Sequence, residues 1–550
     1  MIKTKGEEII KILLENRGLK TARQKEEFLN PVSPTEFTAK DLGIAPKELQ
    51  KAIKRIKAAI EKKESIIVYG DYDADGICAT AILWETLYKL TKNVLPYIPE
   101  RVSEGYGLNK QSVLQLKTRN PQLGLIITVD HGITAAEKIQ DAQKLGIGVI
   151  VCDHHQPPKN KPKCTALVYT DQICAAAIAW FLSQEILRKI ADRKLPITNH
   201  LDLVAIASIG DLEPLIGTNR SFVKYGLGVL NKTQRCGLLA IMEEAGIEKG
   251  KIGTYEVGYI IAPRLNAMGR IEHALESLRL LCTSQNEKAR DLAGKLGLTN
   301  RERQLLTRET ARQAIDNLKL IPPTAGQSSK LIFVAHESYN QGIIGLVAGK
   351  LVEEFYRPAI VISLGEIYSK ASARSISGFN IIEAIRAQAD LLVDAGGHPM
   401  AAGFTVETVK IEELKKRLSE TAERKISEEI LVKILKIDLE IPLEAISLSL
   451  WEKVQTLAPF GLGNPEPVLA TEAVVEDFRL VGVGGKHLKL TLSGTSAAEK
   501  KKTFFGAIAF NQGFWAEKLV FGQKVKVAFT LSLNEWNGEK KMELKIKDIA

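Results

Sequence analysis

The sequence contains few cysteines, and none of them pairs with another in a C-x-x-C motif. The six are scattered along the chain, at Cys78, Cys152, Cys164, Cys174, Cys236 and Cys282. Disulfide frameworks and structural zinc sites need cysteines at close, regular spacings. The pattern therefore argues against both, and it predicts a reducing, cytoplasmic location.

Long hydrophobic runs are also missing. No apolar stretch reaches the roughly 18 residues of a membrane helix, and the first residues, MIKTKGEEIIKILLEN, have the pattern of an amphipathic helix rather than a signal peptide. We therefore expect no membrane partner. The chain also lacks a Walker loop, a G-x-S-x-G elbow and a kinase signature, so no motif favours those chemistries.

What the chain does have is length and positive charge. Its 550 residues are too many for one hydrophobic core and predict three or four domains. With 45% hydrophobic and 25% charged residues, it has the composition of a soluble globular protein. A net charge of +10 fits a polyanionic partner such as nucleic acid, although many basic proteins bind none.

Five regions differ in pattern. Residues 1–64 are helical and rich in lysine, and 65–215 alternate short apolar runs with helical stretches, which predicts an α/β domain with a doubly wound parallel sheet. Residues 216–325 read as a helical connector with one or two long helices, ending in the linker IPPTAGQSS. A second, smaller α/β domain is predicted over 326–425. Residues 426–550 predict a small β-barrel with a hairpin turn at Asn537–Gly538.

The stretch VYGDYDADG places Asp71, Asp73 and Asp75 at every second position after a predicted strand. Three carboxylates this close repel one another unless a cation neutralises them. An EF-hand loop is excluded because its twelfth position, which must be glutamate, is Ile82. A catalytic metal site and a plain surface turn remain the two interpretations.

Other apolar runs end in similar residues. Asp130 follows LGLIITV, Asp153-His154-His155 closes IGVIVC, and Asp211 follows LVAIASIG. If all four runs are parallel strands, their carboxyl ends deliver these side chains to one edge of the sheet. Oxygen-rich ligands with one or two imidazoles suit Mn²⁺ or Mg²⁺, and this many carboxylates can hold two ions. Two-metal hydrolysis of a phosphodiester or phosphoanhydride is the indicated chemistry.

These motifs resemble the DHH phosphoesterase superfamily, which is named for the Asp153-His154-His155 sequence. APRLNAMGR, PFGLGNPEP and the β-rich C-terminus resemble the RecJ family of bacterial exonucleases within it. The resemblance covers nearly the whole chain. It implies a DHH domain, a helical connector, a DHHA1 domain and an OB-fold, with Mn²⁺- or Mg²⁺-dependent 5′→3′ degradation of single-stranded DNA in repair and recombination.

The resemblance also implies roles for individual residues. The catalytic residues would be Asp130, His154 and His155, and the metal ligands would be Asp71, Asp73, Asp75, Asp130, His154 and Asp211. Asp75 could instead act as a hydrogen-bond acceptor next to the ligands without binding the metal itself. The substrate-binding residues would be Arg101, Arg270, Ser372, Arg374 and His398. Two departures from the family pattern are His131, expected to cap a helix rather than bind metal, and Tyr339-Asn340, which leaves one substrate contact open.

The sequence also leads to expectations about binding partners and about two alternative functions. Single-stranded DNA is the expected partner, with a single-strand-binding protein and a helicase as candidate protein partners and a monomer as the default state. The barrel aromatics Phe504, Phe505, Phe514, Trp515 and Trp536 offer base stacking, but part of this set belongs to the barrel core. A phosphodiesterase for short oligonucleotides or cyclic dinucleotides, and a non-catalytic nucleic-acid-binding scaffold, are the alternatives.

Overall fold

Three β-sheets organise the chain in the computed structural model, which describes residues 6–101, 103–190, 199–320, 329–495, 502–536 and 539–550. The mixed α/β architecture with a parallel first sheet and a C-terminal barrel confirms the predicted fold class. Within these residues, no helix combines the length and the apolar character needed to cross a membrane.

The N-terminal helices divide their packing between two parts of the molecule. They are α1 (Gly6–Asn16), α2 (Ala22–Leu29) and α3 (Pro46–Glu61). The apolar stripe of α3, including Leu49, Ile53 and Ile56, packs into the first α/β unit, which leaves most of its lysines in solvent. By contrast, Ile9 and Leu13 of α1 are buried in the core of the C-terminal barrel.

The first α/β unit is a five-stranded parallel sheet in the order β2-β1-β3-β4-β5. Its strands are β1 (Ser65–Tyr69), β2 (Val94–Tyr97), β3 (Leu123–Val129), β4 (Gly148–Asp153) and β5 (Ala166–Tyr169). Its helices are α4 (Ala74–Tyr88), α5 (Lys110–Arg119), α6 (Ala136–Lys144) and α7 (Ala175–Ile190). The central strands are buried on both faces, which explains their continuous apolar runs.

One predicted strand of this unit is a helix. The run LVAIASIG lies in α8 (Leu201–Gly210), and Asp211 is the residue that ends it. All residues of α8 up to Ile209 are buried, so the helix has no polar face. Periodicity alone cannot distinguish a helix surrounded by protein from a buried strand. The strand prediction for this run was therefore wrong, and Asp211 reaches the sheet edge from a helix end.

The connector consists mainly of helices joined by short loops. It comprises α9 (Gly217–Leu230), α10 (Cys236–Ala245), the π-helix Glu256–Ile261, α11 (Ala262–Ile271), α12 (Leu275–Cys282) and α13 (Asn286–Leu320). With 35 residues, α13 is about 52 Å long at 1.5 Å per residue. The long predicted segment is thus one helix, and the linker after it lies almost wholly outside the described residues.

The second α/β unit contains a mixed sheet in the order β6-β7-β8-β10-β9. Its strands are β6 (Ile332–His336), β7 (Ala359–Ser363), β8 (Tyr368–Arg374), β9 (Leu392–His398) and β10 (Ala401–Glu407). Its helices are α14 (Ile344–Phe355), α15 (Ile381–Arg386) and α16 (Ile411–Lys425).

The C-terminal unit is a closed barrel. It contains α17 (Leu448–Gln455) and the strands β11 (Leu439–Glu440), β12 (Leu469–Val481), β13 (His487–Thr495), β14 (Lys502–Ala509), β15 (Lys524–Trp536) and β16 (Glu539–Ile549). Pairing of β12 with β15 joins the two ends of the sheet and removes its free edges. β15 and β16 pair as the predicted hairpin, but the turn residues Asn537 and Gly538 lie outside the described residues.

A single buried arginine connects three parts of the chain. The Arg220 guanidinium on α9 donates to the carbonyl oxygens of Phe28, at 2.7 Å, and Ala458, at 2.8 Å. It also lies 3.8 Å from the centre of the Phe28 ring. The N-terminal helices, the helical connector and the loop that leads into the barrel are therefore fixed together at this residue.

Candidate metal centre

The loop after β1 positions two of the three clustered aspartates. Asp73 is the N-cap of α4, and its carboxylate accepts the backbone N–H groups of Asp75 and Gly76, both at 3.0 Å. A Cβ on Gly76 would lie 2.7 Å from the backbone nitrogen of Asp71, so only glycine allows the loop to fold back this closely. The D-x-D-x-D-G pattern thus combines a helix cap with a tight approach of Asp71.

Asp75 has a different environment from its neighbours. It is buried in the first turn of α4, where its carboxylate accepts the N–H groups of Ala175 and Ala176 at 2.7 Å each. These bonds fix the start of α7. Burial, partly offset by the nearby His154, raises the pKa of Asp75 to about 6. Its Oδ2 is also 3.6 Å from His154 Nε2, so Asp75 both supports the fold and faces the site.

Asp130 stands at the end of β3 with a φ of +68°, a left-handed conformation that aspartate and asparagine tolerate better than most residues. Its Oδ1 lies 3.2 Å from His154 Nε2. Burial and the charges of Asp73 and Asp75 raise its pKa well above the usual range. The strand end therefore aims a carboxylate at the centre of the cluster.

His154 is the centre of the carboxylate cluster. Its Nε2 is within 3.6 Å of carboxylate oxygens of Asp75 and Asp211, in addition to Asp130. Its Nδ1 lies 3.3 Å from Glu213 Oε1. Sequence reasoning missed Glu213, which lies two residues after Asp211, because nothing local indicates that it reaches back to this ring.

Asp153, the first residue of the DHH motif, fixes its neighbour. Its carboxylate accepts the N–H groups of Ile133 and His155 and lies 2.8 Å from His155 Nδ1. Although burial acts to raise the pKa of Asp153, these hydrogen bonds and the His155 charge hold it at about 2. Asp153 thus orients His155 toward Asp130, whose Oδ1 is 3.9 Å from His155 Nδ1.

The arrangement of donors fits divalent cations. Three sets of ligand atoms lie within 4.8 Å of one another: Asp71, Asp73 and Asp130; Asp75, His154 and Asp211; and Asp130, His154 and His155. Asp130 and His154 each belong to two sets. Asp71 Oδ1 is buried without a hydrogen-bond partner among the described residues, and burial with neighbouring carboxylates raises the pKa of Asp71 and Asp211. Bound cations would satisfy the buried oxygen and relieve the repulsion.

Four arginines form a cationic cluster next to this centre. Burial and the positive charges of Arg101, Arg303 and Arg374 lower the pKa of Arg270 to about 10. Within the described part of the chain, none of the four forms a salt bridge with a carboxylate. Ser372 accepts a bond from Arg374 Nη1 at 3.3 Å. Partly buried guanidinium groups without a carboxylate partner suit a phosphate ligand.

The cluster brings together three arginines that the sequence predicted, with Ser372, and adds Arg303. Arg303 lies on α13 within the sequence NRERQ, where it looks like one more charge on an exposed helix. The loop with Tyr339-Asn340 supports Arg270: Asn340 Oδ1 accepts the Gly342 N–H at 2.7 Å, and Arg270 Nη1 donates to the Gly342 carbonyl at 3.1 Å. The unusual Asn340 is thus compatible with an ordered Arg270.

His398 approaches from the second α/β unit. It ends β9, and burial together with the charges of His155 and His154 lowers its pKa. Gly397 before it has a φ of +139°, and a Cβ there would lie 2.4 Å from the Ala401 carbonyl oxygen. The glycine-rich hairpin therefore places His398 opposite the DHH histidines.

His131 neither caps a helix nor belongs to a metal-ligand set among the described residues. Its Nε2 lies 3.0 Å from the Tyr69 carbonyl oxygen, and its ring packs edge-on against the Tyr69 ring. Burial lowers its pKa to about 4, so it is a neutral packing residue. The helix-cap prediction was wrong because α6 begins later, after Ala135.

The barrel aromatics divide between surface and core. Phe504 and Phe514 are more than half exposed, whereas Phe505 and Trp515 pack against the barrel core. The Trp536 side chain is outside the described set.

Three family models match separate parts of the sequence. The model described as "DHH family, N-terminal domain" matches residues 65–208, which include all the candidate metal ligands except Asp211. The model described as "DHHA1 domain" matches residues 328–428, and "RecJ OB domain" matches residues 437–548.

Whole-chain relatives bear a shared description. The chain is 37% identical to "Single-stranded-DNA-specific exonuclease RecJ" of Bacillus subtilis, over 98% of this chain and 68% of that protein. It is 32% identical to the protein of the same description from Thermus thermophilus, over 92% of this chain and 72% of the relative.

Two solved structures of RecJ are similar to this chain over nearly its whole length. The crystal structure of RecJ in complex with Mn²⁺ from Thermus thermophilus superimposes with a TM-score of 0.82 at 29% identity, covering 99% of this chain and 76% of that one. The corresponding Mg²⁺ complex gives 0.74 at 28% identity, covering 98% and 74%.

Proposed function

Because the chain belongs to the RecJ family of exonucleases, we propose that it is a metal-dependent exonuclease that hydrolyses single-stranded DNA from the 5′ end. One observation carries the proposal. In the described part of the chain, a carboxylate–imidazole centre, in which Asp130 and His154 each belong to two ligand sets, lies beside four arginines that have no carboxylate partner. The first feature suits phosphodiester hydrolysis, and the second suits recognition of a terminal phosphate.

The cofactor is Mn²⁺ or Mg²⁺, and two ions are expected per chain. Asp71, Asp73 and Asp130 would hold one ion; Asp75, Asp211 and the two histidines, with Asp130 shared, would hold the other. When bound, the ions supply a water of lowered pKa and stabilise charge on the phosphate oxygens.

The protein's own groups hold the site in shape. Glu213 at Nδ1 of His154 leaves Nε2 directed at the carboxylates, and Asp153 fixes His155. The arginine cluster and Ser372 bind the 5′-terminal phosphate, with His398 closing the site from the second α/β unit. Recognition of an end, rather than of internal phosphates, makes the enzyme an exonuclease. Asp130, His154 and His155 are the proposed catalytic residues.

The wider setting belongs to the same proposal. We keep the division into an N-terminal helical region (1–64), a DHH domain (65–215), a connector (216–325), a DHHA1 domain (326–425) and an OB-fold (426–550). The enzyme acts as a cytoplasmic monomer in DNA repair and recombination, together with a single-strand-binding protein and a helicase.

An end-labelled digestion tests the function. A 3′-labelled single-stranded DNA is incubated with Mn²⁺ beside a matching duplex, an RNA of the same sequence and a dinucleotide. We expect the single strand to shorten from its 5′ end while the duplex stays intact. Hydrolysis of the dinucleotide alone would instead favour the small-substrate phosphodiesterase, and retention of DNA without cleavage would favour the scaffold.

The control variant is Asp130→Asn. Asparagine tolerates the left-handed backbone at this position, so loss of cleavage would report on the missing carboxylate rather than on misfolding. Cleavage at the wild-type rate in this variant would contradict the proposed metal centre.

A further inference from the structure

The helix α11 and the π-helix before it connect the arginine cluster, the metal centre and a pair of exposed tyrosines. On α11, Arg270 belongs to the arginine cluster, and four residues earlier Asn266 Oδ1 accepts the Ala74 N–H at 2.6 Å, next to Asp73. One turn further, Ala262 packs against Gly210, where a Cβ would lie 3.2 Å from the Ala262 Cβ. Gly210 precedes Asp211, so these residues follow the length of the site.

The helix is held tightly against the site. A Cβ on Gly269 would lie 2.3 Å from the Tyr72 carbonyl oxygen, between Asp71 and Asp73. A Cβ on Gly258, in the π-helix, would lie 3.5 Å from the Ile209 side chain of α8. α11 therefore packs on the backbone between Asp71 and Asp73, and the π-helix packs on a side chain two residues before Asp211.

Tyr259 lies on the π-helix before α11, and Tyr255 is the residue at which that helix is capped. They come three and seven residues before Ala262 in the sequence. Their ring centres are 5.0 Å apart with an angle of 27° between the ring planes. Tyr255 is 63% exposed and Tyr259 is 72% exposed. Two large stacked aromatic rings thus face solvent, and in sequence they flank Gly258, which packs against α8 near Asp211.

The direction of α11 and the π-helix indicates which part of a bound strand would contact the two tyrosines. If the 5′-terminal phosphate is held at Arg270 and the scissile bond lies near Asp73 and Asp211, the strand leaves the site on the side of Ala262. The next surfaces along the helix are Tyr259 and then Tyr255. Aromatic rings bind bases of any sequence by stacking, and unpaired bases can present their faces, whereas bases inside a duplex cannot.

We propose that Tyr255 and Tyr259 form a stacking surface for unpaired bases of the substrate strand on the 3′ side of the cleaved bond. The inference rests on the proposed function for its direction of travel. It adds a determinant of the preference for single strands that lies outside both the metal centre and the barrel. Neither tyrosine touches the reacting atoms, so they are positioning residues.

The kinetic test compares substrate lengths. In Tyr255→Ala/Tyr259→Ala, we expect the KM for a 20-nucleotide strand to rise about tenfold with little change in kcat. Hydrolysis of a 5′-phosphorylated dinucleotide, which is too short to reach the tyrosines, should be unchanged. Phenylalanine at both positions should restore the KM, whereas leucine, which is apolar but not aromatic, should not. An unchanged KM in the alanine variant would overturn the inference.

A matched control comes from another exposed tyrosine. Tyr368 on β8 is 55% exposed, and its replacement by alanine should leave the KM for the long strand unchanged. An equal rise in this variant would mean that the effect is not specific to the stacked pair.

A binding experiment separates this inference from the proposed activity. Oligonucleotides with a single 2-aminopurine at successive positions from a 5′ phosphate are bound to Asp130→Asn protein, which does not need to cleave them. We expect fluorescence quenching at a small set of adjacent positions, lost when Tyr255 and Tyr259 are alanine in the same background. Quenching that persists in the double variant would refute the stacking surface even if wild-type protein digests DNA. Quenching that disappears would support it even if no digestion occurs.

Discussion

At the scale of single residues, the site is built from groups that oppose one another in the absence of cations. Asp71, Asp130 and Asp211 are each pushed toward their neutral forms by burial and by neighbouring carboxylates. Such an arrangement destabilises the fold and persists because the chemistry needs it. Because these carboxylates repel one another, changes in the metal centre should alter the free energy of unfolding as well as the activity.

Replacing Asp130 by asparagine should stabilise the metal-free protein while abolishing cleavage. Removal of one charge from two ligand sets relieves repulsion, and we expect the free energy of unfolding without divalent cations to rise by about 1 kcal/mol. The stabilisation of the wild type by Mn²⁺ should be much reduced in the variant. Thermal unfolding with EDTA and with Mn²⁺ measures both effects; a variant that is less stable in EDTA would contradict the repulsion argument.

Replacing Asp153 by asparagine should impair catalysis without removing a ligand. The carboxylate that holds His155 Nδ1 at 2.8 Å would become an amide, and the ring orientation would be less well defined. We expect kcat to fall about 10- to 100-fold, as for other groups that orient metal-site histidines. Mn²⁺ titration should show the same number of ions bound as in the wild type. A wild-type kcat would show that His155 is oriented by other contacts.

The sequence located residues whose role is local and missed those whose role depends on folding. Asp71, Asp73 and Asp75 lie within five residues directly after one strand, so their spacing in the sequence predicts that they are close together. Glu213 and Arg303 meet the site only because separate helices pack together, and no nearby pattern marks either of them. Asp153 was visible in its motif, but its acceptor role depends on the Ile133 N–H from another loop.

At the scale of elements, buried helices and buried strands are the hardest to tell apart. The strands β1, β3 and β4 were recognised because short apolar runs end in turn residues, and the amphipathic α1 because its apolar residues repeat with helical spacing. The α8 run has the same length and composition as a strand, and it is helical because α4 and α9 surround it. Tertiary packing, which the local sequence does not contain, decides this element.

The C-terminal end of α4 provides a pH-dependent prediction. Glu85 lies at 2.7 Å from Arg235 Nη1 and 2.8 Å from His200 Nε2. Although burial acts to raise its pKa, these hydrogen bonds and the Arg235 charge lower it from 4.5 to about 2. A depressed folded-state pKa gives stability that is fully present above about pH 5 and is lost as the pH falls through 4.5 toward 2.

The variant Glu85→Gln isolates this contribution. At pH 7 we expect the variant to be less stable than the wild type by about 3 kcal/mol, from the pKa difference at about 1.4 kcal/mol per unit. The difference should shrink as the pH is lowered from 5 to 3. Urea unfolding followed by circular dichroism over this pH range provides the measurement. If the difference in the free energy of unfolding between the variant and the wild type does not depend on pH, the glutamate contributes through packing and not through its charge.

At the scale of the whole molecule, Arg220 links units that are distant in sequence. Its guanidinium is buried, and burial followed by the Arg17 charge lowers its pKa to about 10. Replacement by alanine would leave the Phe28 and Ala458 carbonyl oxygens without their donor and open a cavity.

We expect Arg220→Ala to loosen the barrel and the first helices from the first α/β unit. Dinucleotide hydrolysis should persist because the metal centre is untouched, whereas the KM for a long strand should rise several-fold. Hydrogen exchange should be faster in residues 22–29 and 456–464. Arg23, whose side chain is 88% exposed, provides the control: Arg23→Ala should change neither measurement.

The packing of α1 into the barrel has a consequence for how the protein is made. Asn16 Nδ2 donates to the carbonyl of Asp438, 422 residues later in the chain. At about 5–20 residues per second, a ribosome needs about 20–80 s to synthesise that interval. The helix α1 therefore waits, with Ile9 and Leu13 exposed, until the barrel strands have emerged. In chains stalled before residue 438, residues 6–16 should stay sensitive to protease, and in finished chains they should be protected.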